Sequence, residues 1–127
     1  MTSLEDMRVP GERPGVFTIL VYLMLGPILW GLHLTLIYGA NTLICALGGG
    51  AASSRAIVIA ATILIAVPLG LMLLMQRRVG RLFGIADGRA GRPTYDAISR
   101  VAGVLSLAGI LWAGTAAAVL SACVPGR

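Results

Sequence analysis

Three long apolar stretches divide the chain, and each of them lacks Asp, Glu, Lys and Arg. They cover residues 14–54, 56–76 and 101–126. A helix needs about 20 apolar residues to cross the hydrocarbon core of a bilayer, and each stretch reaches that length. None has the period-2 alternation that is typical of a barrel strand, so the pattern predicts three transmembrane helices.

The breaks between these stretches predict how the helices are connected. The linker GGGAASS at 48–54 is short, so the first two helices should form an antiparallel hairpin. No internal repeat or second domain is visible, and the predicted fold class is all-α, an integral membrane three-helix bundle. The predicted parts are a cytoplasmic tail over 1–15 and a transmembrane domain over 16–127, with spans at about 16–47, 55–76 and 97–123 and a cytoplasmic loop over 77–96.

The basic residues predict the orientation of these helices. All ten are arginine, and only 12% of the chain is charged, about half the usual share. Cytoplasmic segments of membrane proteins collect arginine and lysine, so we expect the N-terminus inside and the C-terminus outside. The loop between the second and third spans contains or borders six of them: Arg77, Arg78, Arg81, Arg89, Arg92 and Arg100. The net charge of +5 is then explained by anionic lipid headgroups on that side, and not by nucleic-acid binding.

The first predicted span concentrates the unusual chemistry of the chain in 27-PILWGLHLTLIYGANTLIC-45. At 100° per residue, its distinctive side chains lie within about 140° of one another on one side of the helix. Lipid offers no hydrogen-bond partners, so such a face should point toward protein or water. The residues concerned are Trp30, His33, Tyr38, Asn41 and Cys45.

His33 has two interpretations. Neutral imidazole is a common metal ligand, so His33 is a candidate haem ligand. However, it is the only histidine, and a second haem ligand would have to come from a partner chain. The alternative is a hydrogen bond from His33 to a neighbouring helix, of the kind that orients helices in membranes. We expect that interhelical role and no cofactor, with a haem shared with a partner chain as the alternative.

A stripe of small residues predicts the packing of the third span. Gly109, Ala113, Ala117 and Ser121 recur at intervals of four and therefore share one side of the helix. Small side chains let membrane helices approach closely. The stripe serves packing within the bundle or packing against another subunit.

The two cysteines, Cys45 and Cys123, are predicted to form a disulfide. Each lies at the outer end of a span, where the compartment is oxidising. Closing so long a loop stabilises the fold by roughly 4 kcal/mol in the chain-entropy model. The alternative is a pair of buried free thiols that pack as small apolar groups.

Residues suited to catalysis are lacking in the sequence. No carboxylate lies within a span, which disfavours proton-coupled transport. No hydrolase triad, zinc-ligand pair or phosphate-binding glycine loop is present either. The sequence therefore favours a protein that is not itself an enzyme.

The pattern Pro27-x2-Trp30-x2-His33-x4-Tyr38-x6-Cys45, with a late Trp112 and Cys123 close before Pro125, resembles one family of small membrane proteins. These are three-span proteins of bacterial respiratory gene clusters, encoded beside haem-copper cytochrome oxidase subunits and their copper-insertion factors. The chain departs from that family at 114-GTAAAVLSAC-123, where a proline-containing segment is expected.

The resemblance implies a non-catalytic accessory subunit or assembly factor of a respiratory complex in the bacterial inner membrane. Its partners would be other membrane subunits of a haem-copper oxidase. The alternative function is a haem- or quinone-binding redox protein that uses His33.

Overall fold

A computed structural model describes residues 15–84 and 92–120 of the chain, with Arg92 described by its backbone alone. The regular structure of this described part is helical. Three helices of the described part are long and apolar enough to cross a membrane, as the three apolar stretches predicted. The helices are α1 Val16–Ala46, α2 Ala51–Leu74, α3 Gln76–Leu82 and α4 Arg92–Val119.

The connection between α1 and α2 is tighter than predicted, because α2 begins at Ala51 and not near Arg55. Gly48 has φ +73°, and its N–H bonds the Cys45 carbonyl while the N–H of Gly49 bonds the Ile44 carbonyl. This pair of bonds is the Schellman arrangement, which ends a helix and reverses the chain within a few residues. The alanines that follow favour helix, so the linker needs no further residues.

The predicted loop over 77–96 is shorter than expected, because it contains helical residues at both ends. After a break at Met75, the chain continues as the short helix α3, and Gly84 with φ +71° ends it. At the other end α4 starts at Arg92 and not near residue 97, since Pro93 is compatible with a first helical turn. Residues 1–14 of the predicted tail, residues 85–91 of the predicted loop and residues 121–127, which include the end of the predicted third span, lie outside the described residues.

The three long helices pack along stripes of mostly small or polar residues. α1 and α4 run parallel: Ser99 lies against Tyr22, and four residues further along both helices Gly103 lies against Gly26. α2 runs antiparallel to α1, as the hairpin prediction requires. The buried residues are Tyr22, Gly26, His33 and Ile37 on α1, Ser54, Val58, Ile65 and Leu69 on α2, and Gly103, Ser106, Ile110 and Gly114 on α4.

Most large apolar side chains of these helices point outward. The core itself is small and centres on Ile65, Leu69 and Ile110, with Leu29, Ala66 and Leu107 against it. A soluble protein would gain its stability by burying these side chains. In a bilayer they face acyl chains, and helix association depends on close packing and interhelical hydrogen bonds.

Candidate functional site

His33 lies in the interior of the bundle, with 0% of its side chain exposed. Its Nε2 is 3.1 Å from Thr62 Oγ1 on α2, and the same hydroxyl donates to the Val58 carbonyl at 2.7 Å. A hydroxyl has only one proton to donate. Both contacts are therefore hydrogen bonds only if Nε2 carries a proton and donates it to Thr62. This geometry places a proton on Nε2 of His33.

The other ring nitrogen of His33, Nδ1, is buried and has no hydrogen-bond partner among the described residues. In the neutral tautomer that carries its proton on Nε2, Nδ1 is unprotonated, so its lone pair would be the one available to a metal. A haem bound at that atom needs room for a macrocycle beside the ring. The enclosed side chain does not offer that room unless the helices separate, so the described packing does not fit a haem axial ligand.

Asn41 forms a second polar contact between α1 and α2. Ser54 Oγ, on a 5% exposed residue, donates to Asn41 Oδ1. The step from His33 to Asn41 advances eight residues along α1, and the step from Thr62 to Ser54 goes back eight residues along α2. The two bonds thus define one antiparallel register and hold the hairpin at two depths.

Trp30 and Tyr38 lie on the outside of the bundle, although they belong to the same predicted polar face. Trp30 is 42% exposed and Tyr38 is 69% exposed. The Trp30 indole packs against α4, where a Cβ added to Gly109 would lie 2.9 Å from Nε1. Within the described part of the chain, neither Trp30 nor Tyr38 donates a hydrogen bond.

The exposed threonines of the spans, unlike Trp30 and Tyr38, form hydrogen bonds within their own helices. Thr35, Thr42 and Thr115 each donate to the backbone carbonyl four residues earlier in their own helix. Such a bond satisfies the hydroxyl without a partner chain. An outward-facing Thr is therefore compatible with lipid, whereas the indole N–H of Trp30 at the middle of α1 finds no such acceptor in its own helix.

The predicted stripe of small residues lies beside the buried stripe of α4. Gly109, Ala113 and Ala117 are half-buried, and Ser121 lies outside the described residues. The closest packing uses a neighbouring set that the sequence analysis missed. Gly103 meets Gly26, and a Cβ on Gly114 would lie 2.4 Å from Thr62 Oγ1. The sequence does contain a pattern that indicates these contacts, because one face of the helix carries Gly103, Ser106, Ile110 and Gly114.

Cys45 is half-buried near the end of α1 and is disulfide-bonded. Its predicted partner, Cys123, lies outside the described residues, so the pairing of these two cysteines stays a prediction.

A hydrogen-bond network that the sequence analysis also missed joins the helices at the opposite end of the bundle. Tyr22 donates from its hydroxyl to Asp96 Oδ1 at 2.7 Å. Gln76 Nε2 donates to the backbone carbonyl of Asp96, and Ser99 Oγ donates to that of Tyr22 at 3.4 Å. The Tyr22 ring also packs against Phe83, with ring centroids 5.8 Å apart. The network ties α1, the α2–α3 junction and α4 together beside the arginines of α3.

The described spans thus present two polar contacts between α1 and α2, a network at the arginine-rich end and one outward-facing tryptophan against α4. Among the described residues, no group of three or more His, Cys, Asp or Glu side chains could hold a metal ion. The chain was compared with protein-family models, curated proteins and solved structures, and none of the three comparisons gave a match.

Proposed function

We propose that this protein is a non-catalytic accessory subunit or assembly factor of a membrane respiratory complex of the cytochrome oxidase type. Its role would be to bind other membrane subunits from the side. The respiratory assignment rests on the resemblance of the first span to the oxidase-associated small proteins. The binding role rests on the surface around Trp30.

The observation that carries the binding role is the position of Trp30. It is the fifteenth residue of the 31-residue helix α1, far from both membrane surfaces where tryptophan is usually enriched. Its side chain is 42% exposed, and its indole N–H, which lies beside Gly109 of α4, has no acceptor among the described residues at a depth where lipid offers none. A carbonyl or hydroxyl of an adjacent transmembrane helix would satisfy it.

The residues beside Trp30 favour close approach of another helix. Gly109, Ala113 and Ala117 are half-buried on the neighbouring part of α4. Small side chains at such a surface let helix backbones approach and gain van der Waals contact. We call the surface formed by Trp30, Gly109, Ala113 and Ala117 the Trp30 face, and we propose it as the contact with a partner subunit.

The proposed orientation follows from the arginines. Arg77, Arg78 and Arg81 of α3 lie at the same end of the bundle as the start of α1, and Arg55 lies near the other end. The positive-inside bias supports a cytoplasmic N-terminus, and the resemblance to the oxidase-associated small proteins supports a bacterial inner-membrane location. Reporter fusions to each terminus test this orientation, and a periplasmic signal from the N-terminal fusion would contradict it.

The partner proposal is tested by affinity purification of the tagged protein in mild detergent, followed by identification of co-purifying subunits. We expect oxidase subunits to co-purify and a deletion strain to show reduced oxidase activity. Isolation of the protein without other subunits, together with normal oxidase activity in the deletion strain, would contradict the proposal. A visible absorption spectrum of the same preparation tests the haem alternative, because bound haem gives a Soret band.

The contact surface is tested by Trp30→Phe, which removes the indole N–H and keeps an aromatic ring. Loss of one hydrogen bond should reduce retention of the partner about two- to tenfold. Tyr38→Phe is the matched control, because it removes the hydrogen-bond donor of another exposed aromatic residue that lies eight residues, about 12 Å, further along α1. Equal loss in both variants would show that the contact is not specific to the Trp30 face.

A further inference from the structure

The arginine-rich end of the bundle contains an open groove between the α2–α3 junction and α4. Its volume is about 750 Å³. Four arginines and one carboxylate line it, so its formal charge is four minus one, or +3. The charged residues are Arg77, Arg78, Arg81, Arg100 and Asp96.

The groove also has an apolar side. Leu74, Met75 and Val101 line it where α2 and α4 enter their spans, and Leu74 is 84% exposed while Val101 is 60% exposed. One wall of the groove is thus cationic and the adjoining wall is apolar. This combination matches a phospholipid, which carries its phosphate directly above its acyl chains.

Arg100 contributes one of the four positive charges of this groove. It lies eight residues into α4, about 12 Å along the helix axis from Arg92, and inside the third apolar helix. An arginine near the end of a span places its aliphatic stem along the helix and its guanidinium toward the interface. Arg100 lines the groove together with the arginines of α3.

The Tyr22 network forms the structural support of the groove. Asp96 accepts a hydrogen bond from the Tyr22 hydroxyl, and Gln76 reaches the Asp96 backbone across the groove. These bonds fix the spacing of α3 and α4, which carry the arginines.

We propose that this groove is a specific site for one anionic phospholipid. The phosphate is held by the guanidinium groups of Arg78 and Arg100, which bind phosphate through charge-assisted hydrogen bonds. The acyl chains lie against Leu74 and Val101. A nucleic acid or an acidic soluble protein would gain nothing from these exposed apolar residues, so the groove favours lipid over both.

The test uses native mass spectrometry of the full-length protein in detergent, titrated with phosphatidylglycerol or with phosphatidylcholine of the same acyl chains. We expect one tightly retained phosphatidylglycerol and weaker retention of phosphatidylcholine. Removing one cationic contact should weaken phosphatidylglycerol binding about fivefold, since each arginine near an anionic surface contributes about 1 kcal/mol. The test variants are Arg100→Gln and, as an independent variant on the exposed surface of α3, Arg78→Gln.

Arg55→Gln is the matched control, because it removes the same charge near the opposite end of the bundle. It should leave phosphatidylglycerol binding unchanged. Equal weakening by Arg55→Gln, or equal retention of both lipids, would overturn the site. Displacement of the lipid by millimolar inorganic phosphate would show a simple anion site and would also overturn the proposal. Circular dichroism of each variant verifies that the helices are retained.

Discussion

The crossing of α1 and α4 provides the sharpest test of the described packing. A Cβ added to Gly26 would lie 2.9 Å from the Cα of Gly103, 3.1 Å from Ser106 Oγ and 3.2 Å from the Ala102 carbonyl oxygen. Two of these three atoms belong to the backbone and cannot move without the helix. The two helices therefore meet at a point where α1 has no room for a methyl group.

The magnitude follows from that geometry. Carbon atoms in favourable contact are about 3.5–4.0 Å apart, so Gly26→Ala forces α1 and α4 apart by about 0.6–1 Å. Overpacking of this kind costs about 1–3 kcal/mol. Alanine also raises intrinsic helix propensity by about 0.5–1 kcal/mol over glycine. The net change should still be destabilising, because the separation also strains the Tyr22 network one turn away.

The matched controls are Gly31→Ala and Gly39→Ala in the same helix. A Cβ at either position has no heavy atom within 4 Å, so these variants gain the same helix propensity without the clash. Unfolding of each purified variant in mixed micelles, followed by circular dichroism during titration with a denaturing detergent, gives the comparison. Gly26→Ala should be about 1–3 kcal/mol less stable than either control. Equal stability of all three would refute the close crossing.

Three further substitutions or treatments test the other contacts. Thr62→Val removes the hydrogen-bond acceptor of the buried imidazole and should lower the free energy of unfolding by about 0.6–1.7 kcal/mol in the same assay. Thr115→Val is its control and should lower that free energy by less, because it loses only a bond within its own helix. Tyr22→Phe should destabilise the protein by about 0.5–1.5 kcal/mol, because the Asp96 carboxylate loses a hydrogen-bond donor. Tyr38→Phe is its control, and an equal loss of stability in both variants would contradict the network. If Cys45 pairs with the other cysteine as predicted, the protein should migrate faster on a non-reducing gel and resist alkylation until it is reduced, and two freely alkylated thiols would disprove the pairing.

The predicted polar face of α1 separates into two parts in the structure, although its members share one side of the helix. His33 and Asn41 point inward and bond α2, whereas Trp30 and Tyr38 are exposed. Helical periodicity places residues around an axis, but it does not show where the neighbouring helices lie around that axis. A spread of about 140° is wide enough to include both an interior and an exterior surface.

The sequence by itself determined that the chain has three helices long enough and apolar enough to cross a membrane and that the first two form a hairpin, because a bilayer requires long apolar segments with internally bonded backbones. It also identified His33 as the unusual residue of the first span. Only the tertiary structure decided that His33 meets Thr62, that Gly26 meets Gly103 and that Tyr22 reaches Asp96. These pairs depend on the rotation and axial register of helices that apolar patterning leaves free, since lipid and protein interior are equally apolar and only close packing and hydrogen bonds distinguish one arrangement from another.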